Sequence, residues 1–204
     1  DAQTTLQHDT AGMSESEIAQ KLGLPSLEGR FLPDTYLFDK GSSDLDILRR
    51  AGHAMERALA SVWQARPQGL PYKTAEEALI MASIIEKETG RPEDRAHVAA
   101  VFVNRLRIGM RLQTDPAVIY GLGEKFDGDL RRADLETDTP YNTYTRTGLT
   151  PTPIAFVGEA ALKAATRPAQ TPALYFVARG DGSSQFSASL EEHNAAVRKY
   201  QLRR

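Results

Sequence analysis

The stretch TAEEALIMASIIEKETG, residues 74–90, predicts a buried helix that ends in two carboxylates. Thr74 is a suitable N-cap, and Glu77 follows three residues later at the capping-box position. Apolar side chains in the middle of the stretch cover nearly the whole circumference, so this part of the helix should be enclosed by other elements. Gly90 is predicted to end the helix in the left-handed conformation.

Glu86 and Glu88, the two carboxylates, should point to roughly opposite sides of this helix. Glu88 emerges from the bulkier apolar face, which is formed by Met81, Ile84 and Ile85. Apolar surroundings and the negative end of the helix dipole both favour the protonated carboxyl. A carboxyl that is protonated near neutral pH is suited to act as the general acid in glycosidic cleavage.

The same two glutamates also suit a solvated helix end, where they form salt bridges with Lys87 or Arg91. Taken alone, these residues favour that structural interpretation over a catalytic one. The choice therefore depends on the rest of the chain.

Composition excludes several classes of function. The chain has 204 residues, of which 41% are apolar and 25% charged, as expected for one globular domain with or without a small appendage. A net charge of −2 gives no general attraction for nucleic acid, so no nucleic-acid partner is expected. Cysteine is absent and the four histidines lack metal-ligand spacing, so we expect neither a metal nor a cofactor.

The order of predicted elements indicates an α+β fold, with a helical body and a small antiparallel sheet. Helices are predicted at residues 14–22, 44–65, 74–89, 93–108, 158–166 and 189–202, and a short one opens with Asp115 as its cap and Pro116 in its first position. Residues 173–189 are predicted to form two strands about a glycine turn. We expect a polar N-terminal segment with a short helix, residues 1–27, before a main domain, residues 28–204.

Several blocks of the sequence, which extend from residue 28 almost to its end, resemble the endolytic murein transglycosylases of the MltG (YceG-like) family. In chain order they are EGRFLPDTY, MASIIEKET, VFVNRLRIGMRLQTDPAVIYG, YNTYTRTGL and LYFVA…EHNAAV. The resemblance implies that residues 28–204 form a lysozyme-like transglycosylase domain. It also implies non-hydrolytic cleavage between N-acetylmuramic acid and N-acetylglucosamine within peptidoglycan strands, with formation of a 1,6-anhydromuramyl end.

The family's catalytic glutamate precedes Thr in EKET, which corresponds to Glu88 here. It would protonate the glycosidic oxygen and then, as a base, accept the proton of the C6 hydroxyl that attacks C1. Such a mechanism needs one carboxyl, whereas a standard hydrolase needs two. Two alternatives stay open: a hydrolytic muramidase that uses the same glutamate, and a non-catalytic glycan-binding or scaffold module.

Substrate contacts are predicted on two segments beyond Glu88. Asn104 could bind an acetamido group or a neighbouring backbone, and Gln113 and Thr114 lie on an extended link suited to line a groove. Asp115 is predicted to contact substrate or to cap the helix that follows it.

The motif PYNTY supplies the second group of predicted contacts. Tyr141 and Tyr144 could stack on sugar rings, with Asn142 and Thr143 as polar contacts, or the tyrosines could fix a long loop to the core. His193 is expected to be structural or to face solvent.

The resemblance implies peptidoglycan glycan strands as the substrate, cell-wall synthases as candidate partners, and a place in the bacterial envelope. No apolar run reaches the roughly 18 residues of a membrane helix, and the chain begins at Asp1 rather than at methionine. We therefore expect a soluble fragment of a longer protein. The resemblance implies that an N-terminal anchor holds the full-length protein at the periplasmic face of the inner membrane.

Overall fold

The computed structural model describes residues 6–202, and within this range the fold is α+β, as the sequence predicts. The α-helices are α1 (Glu15–Leu22), α2 (Asp44–Gln64), α3 (Ala75–Glu88), α4 (Pro92–Arg107), α5 (Asp115–Leu122), α6 (Arg132–Glu136), α7 (Glu159–Thr166) and α8 (Leu190–Tyr200). Strands β1 (Tyr175–Ala178) and β2 (Ser184–Ser187) form an antiparallel pair. In the described part of the chain, no helix is both long and apolar enough to cross a membrane.

Helix α3 is the central element of the core, because α2, α4, α5 and α7 all pack against it. Its residues from Ala78 to Ile85 are all buried, as the all-round apolar pattern predicts. Thr74 caps the helix by accepting a hydrogen bond from the backbone N–H of Glu77. The end of α3 is therefore held in a fixed position by elements on several sides.

The predicted left-handed end at Gly90 is wrong. Residue Thr89 is extended, with φ −146° and ψ 127°, and Gly90 does not have a left-handed φ. Thr89 Oγ1 accepts a hydrogen bond from the N–H of Arg91, and Pro92 then opens α4. This short extended link replaces a helix cap because the chain passes directly into the next helix.

Most predicted helix boundaries agree with the structure to within two residues, and the capping boxes at Ser14 and Ser189 are both formed. The polar segment between α5 and α7 contains two short elements that the sequence does not predict, α6 and a 3₁₀ turn at Gly123–Lys125. Both are too short to show a hydrophobic period. The predicted domain boundary at residue 27 stays a prediction, and residues 1–5 of its first segment lie outside the described range.

The β-hairpin is attached to α4 by contacts at both of its strands. Phe176 meets the buried ring of Phe102 edge-on, with centroids 5.9 Å apart. Asp94, in the first turn of α4, accepts a 2.8 Å hydrogen bond from the N–H of Ser184. These contacts bring the start of β1 close to the C-terminal end of α3, so that Glu88, Tyr175 and Phe176 line the same cleft.

Candidate active site

A cleft of about 410 Å³ lies at the end of α3, between the start of α5 and the hairpin. Its wall combines carboxylate, guanidinium, amide and aromatic groups from segments distant in the chain. The lining residues are Glu88, Arg105, Gln113, Asp115, Tyr144, Tyr175, Phe176, Leu190, His193 and Asn194. Of the sequence-predicted contacts, Gln113, Asp115 and Tyr144 are therefore brought together with Glu88.

Glu88 is the last residue of α3 and carries a partly buried carboxyl in this cleft. Burial is the main cause that raises its pKa above the ordinary value of 4.5, and the nearby charge of Asp115 acts in the same direction. A hydrogen bond from Thr114 and the charge of Arg105 oppose this change. The direction expected from the apolar face of α3 is thus confirmed for Glu88, whose carboxyl holds its proton to a higher pH.

Glu86 lies on a different side of α3, as the helical geometry predicts. Its Oε2 accepts a 3.1 Å hydrogen bond from the backbone N–H of Gly158, which is the N-cap residue of α7. A carboxylate at a helix N-terminus satisfies an otherwise free donor and interacts favourably with the helix dipole. Glu86 therefore joins α3 to α7 and does not line the cleft around Glu88.

The link from Gln113 to Asp115 is held in a strained conformation next to Glu88. Gln113 has φ 51°, in the left-handed region, which costs a residue other than glycine about 1–2 kcal/mol. Thr143 compensates on the neighbouring loop: its carbonyl accepts from the N–H of Gln113, and its hydroxyl accepts a 2.9 Å bond from the N–H of Thr114. Buried Thr143 thus positions the link and is not on the cleft surface.

Thr114 and Asp115 both use their side chains in the site. Thr114 Oγ1 donates a 2.8 Å hydrogen bond to Oε2 of Glu88. Asp115 Oδ1 accepts a 2.5 Å hydrogen bond from the hydroxyl of Tyr144. Asp115 is the first residue of α5 and Thr114 occupies the N-cap position without a side-chain cap, so the predicted capping role of Asp115 is wrong. Its carboxylate points to Tyr144 instead.

Tyr144 lines the cleft through a partly buried ring. Burial raises the pKa of its phenol, and the hydrogen bond to Asp115 raises it further, since the ionised phenol could not donate to a carboxylate. The hydroxyl therefore stays protonated throughout the physiological range. An aromatic face with a fixed polar group is a suitable sugar contact.

The remaining predicted contacts do not lie on the cleft. Asn142 is fully buried, and its amide donates to the backbone carbonyls of Asp134, Leu135 and Thr137. These bonds consume its donors in holding the loop. In the structure Asn142 therefore holds the loop in place. The sequence alone could not distinguish this role from a contact with substrate.

Tyr141 and Asn104 also face other parts of the protein. Tyr141 packs edge-on against Tyr120 of α5 and shares a 2.8 Å hydrogen bond with the hydroxyl of Thr152. Asn104 donates to the carbonyl of Ala173 and to that of residue 171, which follow α7. This bond to backbone is the alternative that the sequence left open for Asn104.

Arg105 is the principal cleft residue that sequence reasoning missed. It is only 7% exposed, and its Nε and Nη1 donate to the carbonyls of Leu174 and Leu112 at 2.7 and 2.6 Å. Burial is the main cause that lowers the pKa of its guanidinium, although a group with an ordinary value of 12.5 remains charged. The sequence feature that could have pointed to Arg105 is its position in the block NRLRIGMRLQTDP, on a buried face of α4.

The hairpin and α8 form the opposite wall of the cleft. The rings of Tyr175 and His193 stack with centroids 5.2 Å apart and an interplanar angle of 22°. Burial, followed by the charge of Arg105, lowers the pKa of His193, so its imidazole is neutral at pH 7. His193 was expected to be structural or solvent-facing, and it is in fact a wall residue of the cleft.

The part of the chain that the structure describes contains no cluster of side chains suited to bind a metal ion. Among residues 6–202, no group of three or more His, Cys, Asp or Glu side chains is placed to hold a metal ion.

The sequence and fold match known proteins over most of the chain. The YceG-like family matches residues 2–199. The chain is 40% identical over 174 residues to a protein of Bacillus subtilis (strain 168) called endolytic murein transglycosylase, and this match covers 85% of the chain and 48% of that protein. A protein with the same name from Streptococcus pneumoniae (serotype 2) is 30% identical over 181 residues, 85% of this chain and 32% of that protein.

A solved structure extends the likeness to the fold. The crystal structure of a YceG-like protein from Listeria monocytogenes has a TM-score of 0.71 to this chain at 36% sequence identity. The match covers 88% of this chain and 62% of that one. The present chain thus spans about half or less of the two named relatives and under two thirds of the crystallised protein.

Proposed function

Because the chain belongs to the YceG-like family, we propose that it is the catalytic part of an endolytic murein transglycosylase, with Glu88 as its acid and base. The observation that carries this proposal is the position of the Glu88 carboxyl, which is partly buried in the cleft and held by Thr114, and burial there raises its pKa. A general acid must hold its proton at working pH and still reach the substrate. Glu88 lines the cleft, and burial raises its pKa in the direction that such an acid needs, whereas Glu86 is bonded to the N-cap residue of α7.

In the proposed reaction, Glu88 donates its proton to the oxygen that joins C1 of N-acetylmuramic acid to C4 of N-acetylglucosamine. The bond from C1 to this oxygen breaks, and the N-acetylglucosamine end leaves as an alcohol. The C6 hydroxyl of the same muramyl residue then attacks C1 and gives its proton to the Glu88 carboxylate. The product carries a 1,6-anhydro ring, the acid is regenerated, and no water is consumed.

The other cleft residues receive proposed roles in holding the strand. Gln113 offers its side-chain amide from a rigid link, and Tyr144 offers a ring face whose hydroxyl is fixed by Asp115. Thr114 orients the Glu88 carboxyl. For Asn104, Tyr141, Asn142 and Thr143 we propose indirect roles, since their polar groups hold the backbone or the side chains around the cleft.

A hydrolytic muramidase is the second candidate, and one specific observation favours it. Asp115 brings a second carboxylate into the same cleft, and paired carboxylates are typical of hydrolases. In the transglycosylase proposal, the bond from Tyr144 engages Asp115 in orienting that ring. A non-catalytic glycan-binding module is the third candidate, but it gives no reason for an acid with a raised pKa.

Product analysis separates these candidates. Purified peptidoglycan is digested with the parent protein and with Glu88→Gln, and the fragments are analysed by mass spectrometry. Transglycosylation gives 1,6-anhydromuramyl ends, which are lighter by one water than the reducing muramyl ends that a hydrolase leaves. Reducing ends in place of anhydro ends would refute the transglycosylase proposal, and no cleavage by the parent would support a binding module.

Glu86→Gln is the matched control for Glu88→Gln, because both substitutions remove one carboxylate from the last turn of α3. We expect Glu88→Gln to reduce the rate by at least about 100-fold, the usual lower range for loss of a general acid. Glu86→Gln should keep most activity. Equal rates for Glu88→Gln and the parent would show that another group is the acid.

We also propose that the full-length protein works in the bacterial cell envelope, where murein is found. Its action at the periplasmic face of the inner membrane and its contact with cell-wall synthases are part of the same proposal. Fractionation of cells that express the full-length protein, combined with crosslinking at residues of this chain, would test both.

A further inference from the structure

We propose that Arg105 is a recognition site for a carboxylate carried on the C3 substituent of the muramyl residue in the cleft. This inference rests on the proposed function, because it names the feature of the glycan that the cleft selects. It gives Arg105 a role in choosing muramyl over glucosaminyl rings. It does not require Arg105 to take part in bond cleavage.

The first observation is a buried charge without an ionic partner. Arg105 is 7% exposed, and its assigned bonds go to the neutral carbonyls of Leu174 and Leu112. Within residues 6–202, none of the salt bridges includes Arg105. Buried charges in proteins are normally paired, since removing a charge from water is costly. Arg105 therefore lacks the partner that would compensate its burial.

The second observation concerns Nη2 of Arg105, the nitrogen that the two carbonyls leave free. It has no hydrogen bond among the described residues. It is nevertheless not one of the fully buried nitrogens without a partner, which in this range are Nε of Arg30, Nε of Arg95 and Nδ1 of His193. Arg105 also lines the cleft that contains Glu88. Its open N–H groups are thus available to a ligand in the cleft, while Nε and Nη1 fix the plane of the guanidinium.

The third observation is the weak competition from neighbouring groups. Glu88 accepts a hydrogen bond from Thr114 and forms neither a hydrogen bond nor a salt bridge with Arg105 among the described residues. Asp115 is engaged by the hydroxyl of Tyr144. His193 is neutral and stacks on Tyr175, over whose ring the guanidinium carbon of Arg105 lies at 5.3 Å. Arg105 is therefore the positive charge that an anion in this cleft would meet.

The chemistry of the glycan supplies such an anion. The muramyl ring differs from the glucosaminyl ring by a lactyl ether at C3, which ends in a carboxylate in peptide-free strands. In peptide-bearing strands this carboxyl is an amide, and the carboxylates lie on the attached peptide. Both sources offer a carboxylate through the same C3 substituent, and a fixed guanidinium is a suitable donor for it.

Binding measurements test this proposal without depending on cleavage. Glu88→Gln keeps the neutral, hydrogen-bonding character of the protonated acid, and its affinity is measured by calorimetry. The ligands are a peptide-free N-acetylglucosamine–N-acetylmuramic acid tetrasaccharide, its lactyl methyl ester, the tetramer of N-acetylglucosamine, and a peptide-bearing muramyl tetrasaccharide. We expect the free acid to bind about tenfold more tightly than its ester and the N-acetylglucosamine tetramer, as for one charge-assisted hydrogen bond.

Two further variants in the Glu88→Gln background locate the effect. Arg105→Gln should abolish the preference for the acid, whereas Arg107→Gln, an exposed arginine two residues later on α4, should retain it. If the Arg105 variant does not fold, a crystal structure of Glu88→Gln with the acid must show the carboxylate on Nη2 of Arg105. Equal affinities for acid and ester would overturn the proposal if Arg105→Gln also leaves the affinity for the peptide-bearing ligand unchanged, and so would a preference for the acid that persists in Arg105→Gln.

The peptide-bearing ligand distinguishes the two sources of the carboxylate. Tight binding that is lost in Arg105→Gln would assign recognition to the peptide, and tight binding of the peptide-free acid alone would assign it to the lactyl group. Either result supports a carboxylate site. Persistent cleavage by Glu88→Gln would refute the assigned acid instead, and it would leave the comparison of acid with ester intact if measured before turnover.

Discussion

Thr114 Oγ1 donates a 2.8 Å hydrogen bond to Oε2 of Glu88, the carboxyl at the end of the central helix. This bond occupies Oε2 and leaves Oε1 without a hydrogen bond to the described residues. Thr114 is itself 1% exposed and bonded through its backbone to Thr143, so the contact has little freedom. The pair therefore fixes the orientation of the Glu88 carboxyl in the cleft.

Thr114→Val should raise the pKa of Glu88, because it removes a hydrogen bond that stabilises the carboxylate. The alkaline limb of the pH profile of kcat/KM is then expected to move to higher pH. The rate at the optimum should fall about tenfold, since the carboxyl loses its orientation. Assays of peptidoglycan cleavage between pH 4 and 9 measure both changes.

Thr114→Ser is the matched control because it keeps the hydroxyl and removes only a methyl group. Its alkaline limb should coincide with that of the parent. A limb that does not move in Thr114→Val would mean that Glu88 is not the group whose ionisation stops the reaction.

Asp115→Asn should have the opposite effect on the alkaline limb. The negative charge of Asp115 raises the pKa of Glu88, so its removal makes Glu88 lose its proton at lower pH. The limb should therefore move to lower pH, with a moderate loss of rate as Tyr144 loses a charged acceptor. As the control, Asp127→Asn, at an exposed ion pair with Arg131, should leave the profile unchanged.

The same variant separates the two enzymatic candidates. In a hydrolase that uses Asp115 to activate water, Asp115→Asn would abolish cleavage at every pH instead of moving the limb. Such a result, together with products that carry reducing ends, would favour the muramidase over the transglycosylase.

The central helix and the position of Glu88 on its apolar face could be predicted from sequence, because both depend on local periodicity. Apolar residues all around α3 indicate burial, and two residues of separation place Glu86 and Glu88 on different sides. The same reasoning failed at Gly90, because the chain enters α4 through an extended link that a local cap preference does not anticipate. Local sequence patterns therefore predict where a helix lies better than they predict where it ends.

The opposite wall of the cleft could not be predicted from any local pattern. Arg105, Tyr175 and His193 meet there only because the hairpin packs on α4 and α8 packs on the hairpin. Likewise, the motif PYNTY could not reveal that Tyr144 lines the cleft while Asn142 bonds its own loop. The polar residues of one motif cannot be distinguished from the sequence alone, because only tertiary contacts determine which of them line the cleft and which bond to the backbone.

Gln113→Gly should distinguish the effect of backbone strain on stability from the effect of the Gln113 side chain on glycan binding. Glycine adopts φ 51° without steric cost, so the variant is expected to be equally stable or up to about 1 kcal/mol more stable than the parent. Its KM for glycan should nevertheless rise, because the side-chain amide that lines the cleft is lost. Urea unfolding and steady-state kinetics measure the two effects.

Gln113→Ala is the companion variant, since it removes the same amide but keeps the strained backbone. It should share the higher KM without any gain in stability. A large loss of stability in Gln113→Gly would mean that the side chain, and not the backbone conformation, holds the link in place.

Glu88→Gln should also change how stability depends on pH. Burial raises the pKa of Glu88 in the folded protein above its ordinary value of 4.5, so the folded state binds the proton more tightly than the unfolded chain does. The resulting stability is fully present below about pH 4.5 and is lost as the pH rises through the folded pKa. Glutamine has no proton to lose, so Glu88→Gln should become progressively more stable than the parent over this range.

Urea unfolding at several pH values from 4 to 9 measures this difference, with Glu86→Gln as the control. Glu86→Gln should gain no such advantage, because the carboxylate of Glu86 is favourably placed at the N-terminus of α7. If Glu88→Gln and the parent keep the same difference in unfolding free energy at every pH, the Glu88 carboxyl titrates normally. The cleft would then lack the protonated acid that glycosidic cleavage requires, and the catalytic proposal would lose its physical basis.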